Sequence, residues 1–282
     1  MKISEKCVKC LYDKQAKRAS YHGEYLAEIK KIIDNRTDSD SAPYMVYKFN
    51  KVYERYFGAV KSLCEEKKKY NNMVLEMEAR LREKILQSED PLKTALVLSR
   101  IGNYIDFAAQ DDIDDETFLE LFSDIAMRDD EQSVYESFLE QCQRGKSFLL
   151  VADNCGEIVL DKLFVEELQK QFPHLEVYVM VRGAEIQNDA TLEDANYVGI
   201  QNVAKLVTNG AAIPGVVYSK LDSEARNIFL ESDIILAKGQ GNYESLSGNG
   251  WHIFYTFLCK CEGFTERFNV SKLTGMFVEE ME

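Results

Sequence analysis

The chain has 282 residues, of which 45% are hydrophobic and 29% charged, and its formal net charge is −14. A chain of this length and apolar content can bury a large core, so we expect a folded globular protein. Proteins that bind duplex nucleic acid normally present a basic surface, so the acidic balance argues against a nucleic-acid partner. There is no apolar stretch of membrane-helix length and no signal-peptide pattern. The sequence therefore predicts a cytoplasmic protein without a membrane partner.

The first half of the chain is predicted to be almost entirely helical. Apolar residues recur at helical spacing over residues 11–33, 45–70 and 73–86. Another helix is predicted to begin at Asp90-Pro91, because proline fits the first helical turn, and it contains the sequence RIGNYIDF. We assign residues 1–143 to an N-terminal helical domain that packs on the functional site.

The pattern changes after Arg144-Gly145, where strand-like and helix-like segments begin to alternate. Strands are predicted at residues 148–152, 177–181, 204–207, 233–237, 251–259 and 272–278. Alternation of this kind indicates a parallel sheet with crossover helices. For residues 144–282 we therefore predict an α/β fold, a Rossmann-like α/β/α layer with a mainly parallel sheet.

Two polar residues end the first apolar run. Asp153 and Asn154 follow residues 148–152 and precede Gly156 and an amphipathic segment. In an open parallel sheet the ligand lies beyond the carboxyl ends of the strands, and an adjoining helix N-terminus favours anions. A carboxylate and an amide oxygen at this position are hard ligands that suit a divalent cation. Helix capping by the same two residues is the structural alternative.

A second acidic motif follows the second predicted strand. Asp189 lies in the segment RGAEIQNDAT, past the carboxyl end of a strand that should neighbour the first. Asp153, Asn154 and Asp189 could therefore converge on one cation and leave positions for water and a substrate oxygen. The alternative is that Asn188 and Asp189 cap the next helix.

The fourth strand is followed by the segment KGQGN, which begins at Lys238 and Gly239. Glycine lets backbone N–H groups approach an anion and lysine adds positive charge, so we predict a phosphate-binding turn over residues 239–242. The spacing is not that of a P-loop, and no G-x-G-x-x-G follows the first strand, so a nicotinamide cofactor is poorly supported.

Seven cysteines are scattered along the chain, and we expect free thiols. Cys7 and Cys10 could bind a metal or form a redox pair. They also share one face of a predicted helix, where cysteine packs as a small hydrophobic residue.

Taken together, the segments DNCGEIVLD, VRG–IQNDAT–EDA and AKGQGNYESL resemble the signature segments of the damage-control phosphatase family, in its prokaryotic branch. The RIGNYIDF segment and the early Cys-x-x-Cys are also similar. Members of this family join an N-terminal helical region to a Rossmann-like layer, and they are metal-dependent phosphatases of phosphometabolites, including damaged or surplus ones. The resemblance implies a phosphomonoesterase that acts on a small phosphorylated metabolite with Mn²⁺, Co²⁺, Ni²⁺ or Mg²⁺.

The resemblance also implies roles for individual residues. It makes Asp153, Asn154 and Asp189 the metal ligands, and Lys238 joins them in the catalytic set. The residues that it implies for substrate or phosphate binding are Gly156, Arg182, Lys238, Gly239, Asn242, Asn103 and Asp106. Glu157 and Asp161 also match the family pattern. The role implied for them is to orient the metal ligands.

The expected mechanism is metal-assisted hydrolysis. The ion and Lys238 would stabilise the phosphoryl charge while a metal-bound or nearby water attacks in line. An aspartyl-phosphate at Asp153 is the second option, disfavoured because such enzymes usually carry another Asp two residues on, where this chain has Cys155. Two other classes stay open: an S-adenosylmethionine-dependent carboxyl methyltransferase, as proposed for eukaryotic relatives, and a non-catalytic metal- or phosphate-binding protein.

Overall fold

The computed structural model describes residues 1–101 and 126–281. Within those ranges the first half of the chain is helical, as predicted. Its helices are α1 (Glu5–Arg18), α2 (Gly23–Asp34), α3 (Ala42–Phe57), α4 (Cys64–Gln87), α5 (Pro91–Ile101) and α6 (Gln132–Arg144). The described part of the chain contains no helix that combines the length and apolar character needed to cross a membrane.

Strands and helices alternate from Ser147 onward. The strands are β1 (Ser147–Val151), β2 (Glu176–Val181), β3 (Lys205–Thr208), β4 (Ile234–Lys238), β5 (Ile253–Leu258) and β6 (Gly275–Glu280). The helices between them are α7 (Glu157–Gln171), α8 (Leu192–Val198), α9 (Ser223–Glu231), α10 (Gly239–Leu246) and α11 (Glu262–Phe268).

The six described strands form one sheet in the order β3-β2-β1-β4-β5-β6. All neighbours pair in parallel except β5 and β6, which are antiparallel. The chain moves outward from β1 through β2 to β3 and then returns to place β4 on the other side of β1. The α/β, mainly parallel prediction is confirmed, and the return creates a switch point between β1 and β4, where open sheets of this kind bind ligands.

The sheet is covered on both faces, which explains why its central strands read as unbroken apolar runs. One core joins residues of α4, α5, α6 and α7 to one face, and a second joins α9, α10 and α11 to the other. A third core holds α1, α2 and α3 together. Helices α4–α6 thus share a core with the sheet, and the division of the chain at residue 143 stays a prediction.

The prediction of one continuous helix over residues 45–70 is wrong, because the helix is interrupted. Helix α3 ends at Phe57 and Gly58 follows with φ +82°. Glycine adopts positive φ without steric cost and commonly terminates helices. The next helix begins at Cys64. The segment 11–33 is likewise divided, because Ser20 and Tyr21 have positive φ between α1 and α2.

The seven cysteines are all free thiols, as expected. Cys7 and Cys10 both belong to α1. Burial raises the pKa of Cys7 to about 12, so its thiol is neutral at physiological pH. Cys155 is buried and burial raises its pKa strongly. A neutral, enclosed thiol is a poor nucleophile, so the environment of Cys155 does not favour nucleophilic chemistry there.

Candidate active site

The loops that follow β1 and β2 are joined by backbone hydrogen bonds. Asn154 and Asp189 form an isolated antiparallel bridge. The N–H of Ala190 donates to the carbonyl of Asp153 at 2.8 Å, and the N–H of Cys155 donates to the carbonyl of Asn188 at 2.9 Å. These bonds bring the three predicted metal ligands together at the carboxyl edge of the sheet.

The helix-capping alternatives do not describe these residues. Helix α7 begins at Glu157, and its N-cap residue is Gly156, which provides no side-chain cap. Helix α8 is capped by Thr191, whose N–H donates to Asp194 Oδ2 at 2.9 Å. Asn154 and Asp189 are both buried and polar. Their side chains instead take part in the hydrogen bonds of this edge of the sheet.

Asp153 lies against the first residue of α10. Gly239 has φ +78°, and a Cβ atom built on it would lie 1.9 Å from Asp153 Oδ2. A side chain cannot be accommodated at that distance, so glycine is required for the carboxylate to lie beside the end of β4. The predicted glycine turn is in fact the first turn of this helix.

Arg182 connects the two carboxylates. Its Nε donates to Asp189 Oδ2 at 2.6 Å, and its Nη2 donates to Asp153 Oδ1 at 3.3 Å. The side chain is completely buried, and its Nη1 has no hydrogen-bond partner among the described residues. The guanidinium therefore bridges the acidic pair, offsets one of its two charges and keeps Nη1 for a further acceptor.

The environment of Asp189 disfavours its charge. Burial raises the pKa of this carboxyl to about 7, Arg182 opposes that shift, and the neighbouring Asp153 adds to it. A buried and a partly buried carboxylate that face one guanidinium leave excess negative charge in a poorly solvated place. A second cation bound at the same point would relieve that repulsion.

Lys238 is not placed as the sequence led us to expect. Its ammonium is fully buried and donates to Glu157 Oε1 at 2.7 Å, Asp161 Oδ1 at 2.5 Å and the carbonyl of Ser99 at 2.9 Å. Each of its three N–H groups thus has an acceptor inside the protein. This arrangement differs from a lysine held open for phosphate, and the catalytic role of Lys238 stays a prediction.

Two other predicted phosphate-binding groups also have protein partners. The N–H of Gly156 donates to Asn71 Oδ1 at 2.6 Å. The amide nitrogen of Asn242 donates to the carbonyls of Ala152 at 3.2 Å and Lys238 at 2.6 Å. Both contacts tie the loop after β1 to its surroundings. Asn103 and Asp106, the remaining predicted residues, lie outside the described residues.

Sequence reasoning missed how the interior supports this edge of the sheet. Glu157 and Asp161 lie one helical turn apart on α7 and are both 0% exposed. That pair of buried acids, four positions apart beside an all-apolar strand, is the signal that could have indicated a buried cationic partner. Asn71 on α4 gave no comparable signal.

The donor set fits a hard divalent cation. Asp153 and Asp189 supply carboxylate oxygens and Asn154 supplies an amide, the ligand types that Mg²⁺ and Mn²⁺ accept. No group of three or more His, Cys, Asp or Glu side chains in the described ranges is arranged to hold a metal. A site here would therefore depend on the amide oxygen and on ligands from water or substrate.

A cavity of about 530 Å³ lies beside Arg182, the partner of the acidic pair. Arg182 lines one side of it, together with Lys68 of α4 and the Thr191 and Tyr197 side chains. This volume is in the range that small-molecule sites occupy. The lining combines cationic, hydroxyl and aromatic side chains with the carboxylates of Glu185, Glu193 and Asp194, so the cavity is polar and carries both signs of charge.

The chain is similar to known proteins over most of its length. Residues 3–273 match the damage-control phosphatase ARMT1-like domain. The chain belongs to this family. It is 29% identical over 278 residues to a damage-control phosphatase from Archaeoglobus fulgidus, covering 93% of each chain. It is 32% identical over 182 residues to a damage-control phosphatase from Pyrococcus horikoshii, which covers 63% of this chain and 61% of the relative.

The fold is shared with a solved structure. The crystal structure of a DUF89 family protein from Pyrococcus horikoshii matches 99% of this chain and 99% of its own, with a TM-score of 0.79 and 24% identity. The predicted membership of the damage-control phosphatases and the predicted Rossmann-like layer are therefore both confirmed.

Proposed function

We propose that this damage-control phosphatase family member is a metal-dependent phosphomonoesterase of small phosphorylated metabolites. The observation that carries the proposal is the meeting of Asp153, Asn154 and Asp189 beside Arg182 at the switch point of the sheet. Family membership supports phosphatase chemistry, and the donor set supports dependence on a divalent cation such as Mn²⁺, Co²⁺, Ni²⁺ or Mg²⁺.

Asp153, Asn154 and Asp189 would hold the cation. When bound, it supplies Lewis-acid stabilisation of the phosphoryl charge. Arg182 would hold the two carboxylates in position and donate a hydrogen bond to a phosphoryl oxygen from Nη1, which has no partner among the described residues. The cavity beside Arg182 would receive the rest of the metabolite, with Thr191 and Tyr197 as hydrogen-bonding groups. Enclosure of these charges strengthens their action on the substrate.

An aspartyl-phosphate at Asp153 is the alternative route. The Asp153 side chain keeps 13% of its surface exposed, so a phosphoryl group could reach it. Borohydride reduction during turnover distinguishes the routes, because only the covalent intermediate gives a reduced adduct at Asp153.

The proposal is tested by phosphate release. Chelator-treated protein is assayed with p-nitrophenyl phosphate and a panel of sugar phosphates, with and without each of the four cations. We expect release only with a cation, and we expect Asp153→Ala to lose both Mn²⁺ binding and activity. Asp38→Ala, at an exposed surface ion pair, is the control and should behave as wild type. An active Asp153→Ala enzyme would refute the site.

A further inference from the structure

A buried charged cluster beside the proposed ligand set takes no direct part in the proposed hydrolysis. Lys238, Glu157 and Asp161 are each 0% exposed, and they come from β4 and α7. Burying such groups costs free energy that apolar packing would avoid, and removing one partner of a buried ion pair is strongly destabilising. A cluster of this kind therefore indicates a need for a defined arrangement of neighbouring polar groups.

Glu157 links the cluster to the cation site. Its Oε1 accepts from Lys238 Nζ at 2.7 Å, and its Oε2 accepts from Asn154 Nδ2 at 3.2 Å. The same Nδ2 also donates to Asp153 Oδ2 at 2.8 Å. One carboxylate thus connects a buried ammonium to the amide of a residue in the proposed ligand set.

This connection decides which end of the Asn154 amide faces the carboxylates. An amide has a donor end and an acceptor end, and only the nitrogen can face carboxylate oxygens without repulsion. Because Asp153 and Glu157 both engage the nitrogen, the amide oxygen lies on the other side of the side-chain carbon. That oxygen is the atom that a divalent cation requires.

We propose that Lys238 and Glu157 are positioning residues: Lys238 fixes Glu157, and Glu157 fixes the Asn154 amide so that its oxygen is presented to the cation. The inference rests on the proposed function and changes the role of Lys238 within it. Asp161 and the carbonyl of Ser99 hold the ammonium from its other sides, so it cannot turn toward a phosphoryl group without breaking those contacts.

The test is the Mn²⁺ affinity of Glu157→Gln, measured from the electron paramagnetic resonance signal of free Mn²⁺. Glutamine keeps the volume, but it cannot accept from both Lys238 and Asn154. Loss of a group that orients a metal ligand typically lowers affinity ~10- to 100-fold, and we expect a weakening in that range. At saturating Mn²⁺, the inhibition of Glu157→Gln by inorganic phosphate should differ from that of wild type by less than about threefold, because in this arrangement neither Glu157 nor Lys238 contacts phosphate.

Asp161→Asn is the matched control. It also neutralises a buried partner of Lys238, but Asp161 Oδ1 accepts from Lys238 whereas Asn154 donates to Glu157, so the Mn²⁺ affinity of Asp161→Asn should stay within about threefold of wild type. Lys238→Met should resemble Glu157→Gln in Mn²⁺ affinity. If Lys238→Met fails to fold, as circular dichroism would show, the comparison of Glu157→Gln with Asp161→Asn decides.

Wild-type Mn²⁺ affinity in Glu157→Gln would overturn the inference, and so would weakened phosphate inhibition in a folded Lys238→Met that retains Mn²⁺ binding. Equal weakening in Glu157→Gln and Asp161→Asn would also overturn it, because the effect would then follow from lost charge alone. Absence of Mn²⁺ binding in the wild type would instead remove the proposed function, which separates the two failures.

Discussion

Replacing Gly239 by alanine tests whether the close approach of Asp153 to α10 is needed for the site. The added Cβ atom would lie 1.9 Å from Asp153 Oδ2 and 2.4 Å from its carboxyl carbon. Non-bonded heavy atoms are most stable at about 3.5 Å, so the carboxylate must move by roughly 1.5 Å. Displacement of a catalytic group by about 1 Å can lower the rate ~100-fold.

Gly248 provides a matched control for the backbone conformation. It has φ +79°, close to the +78° of Gly239, but a Cβ atom there would meet nothing within 4 Å. Both alanine variants should lose about 1–2 kcal/mol of stability from the left-handed conformation. Only Gly239→Ala should also lose activity and Mn²⁺ affinity.

The measurements are the urea-unfolding free energy, the Mn²⁺ dissociation constant and kcat/KM for each variant. We expect kcat/KM of Gly239→Ala to fall by about 100-fold relative to Gly248→Ala. Equal activity in the two variants would refute the reasoning, because it would mean that Asp153 can leave its position against α10 without consequence.

Two further predictions concern charge. Arg182→Met leaves Asp153 and Asp189 without their cationic partner, so the metal-free variant should lose about 3–5 kcal/mol of unfolding free energy in urea. Added Mn²⁺ should stabilise this variant more than it stabilises wild type. Equal stabilisation of the two proteins by Mn²⁺ would count against a shared cation site. Burial raises the pKa of Glu244 from its usual 4.5 to about 7, so its ionisation opposes folding. The stability that protonated Glu244 contributes is complete below pH 4.5 and is lost as the pH rises toward 7. The stability of Glu244→Gln relative to wild type should therefore rise across that interval. Melting temperatures measured at several pH values check this, and a constant difference between the two proteins would contradict it.

Several features of the fold could be predicted because they depend on local sequence. Strand β1 is an apolar run that Asp153 and Asn154 follow shortly after its end, and β4 is an apolar run that ends in Lys238. A strand covered on both faces has that appearance wherever it lies in a sheet. The position of Asp153 and Asn154 at a strand end followed directly. The break at Gly58 was missed because the apolar periodicity on either side outweighed one glycine in the interpretation.

The sequence by itself determined the class of fold, the family and the strand-end residues that meet at the switch point, since each depends on periodicity and short motifs. Only the tertiary structure decided the partners of those residues. Lys238 follows four apolar residues and precedes a glycine, which indicated an exposed phosphate contact, but α7 places Glu157 and Asp161 around its ammonium. The physical reason is that hydrogen bonds between distant segments depend on how α7 packs against β4, and no local pattern in either segment encodes that packing.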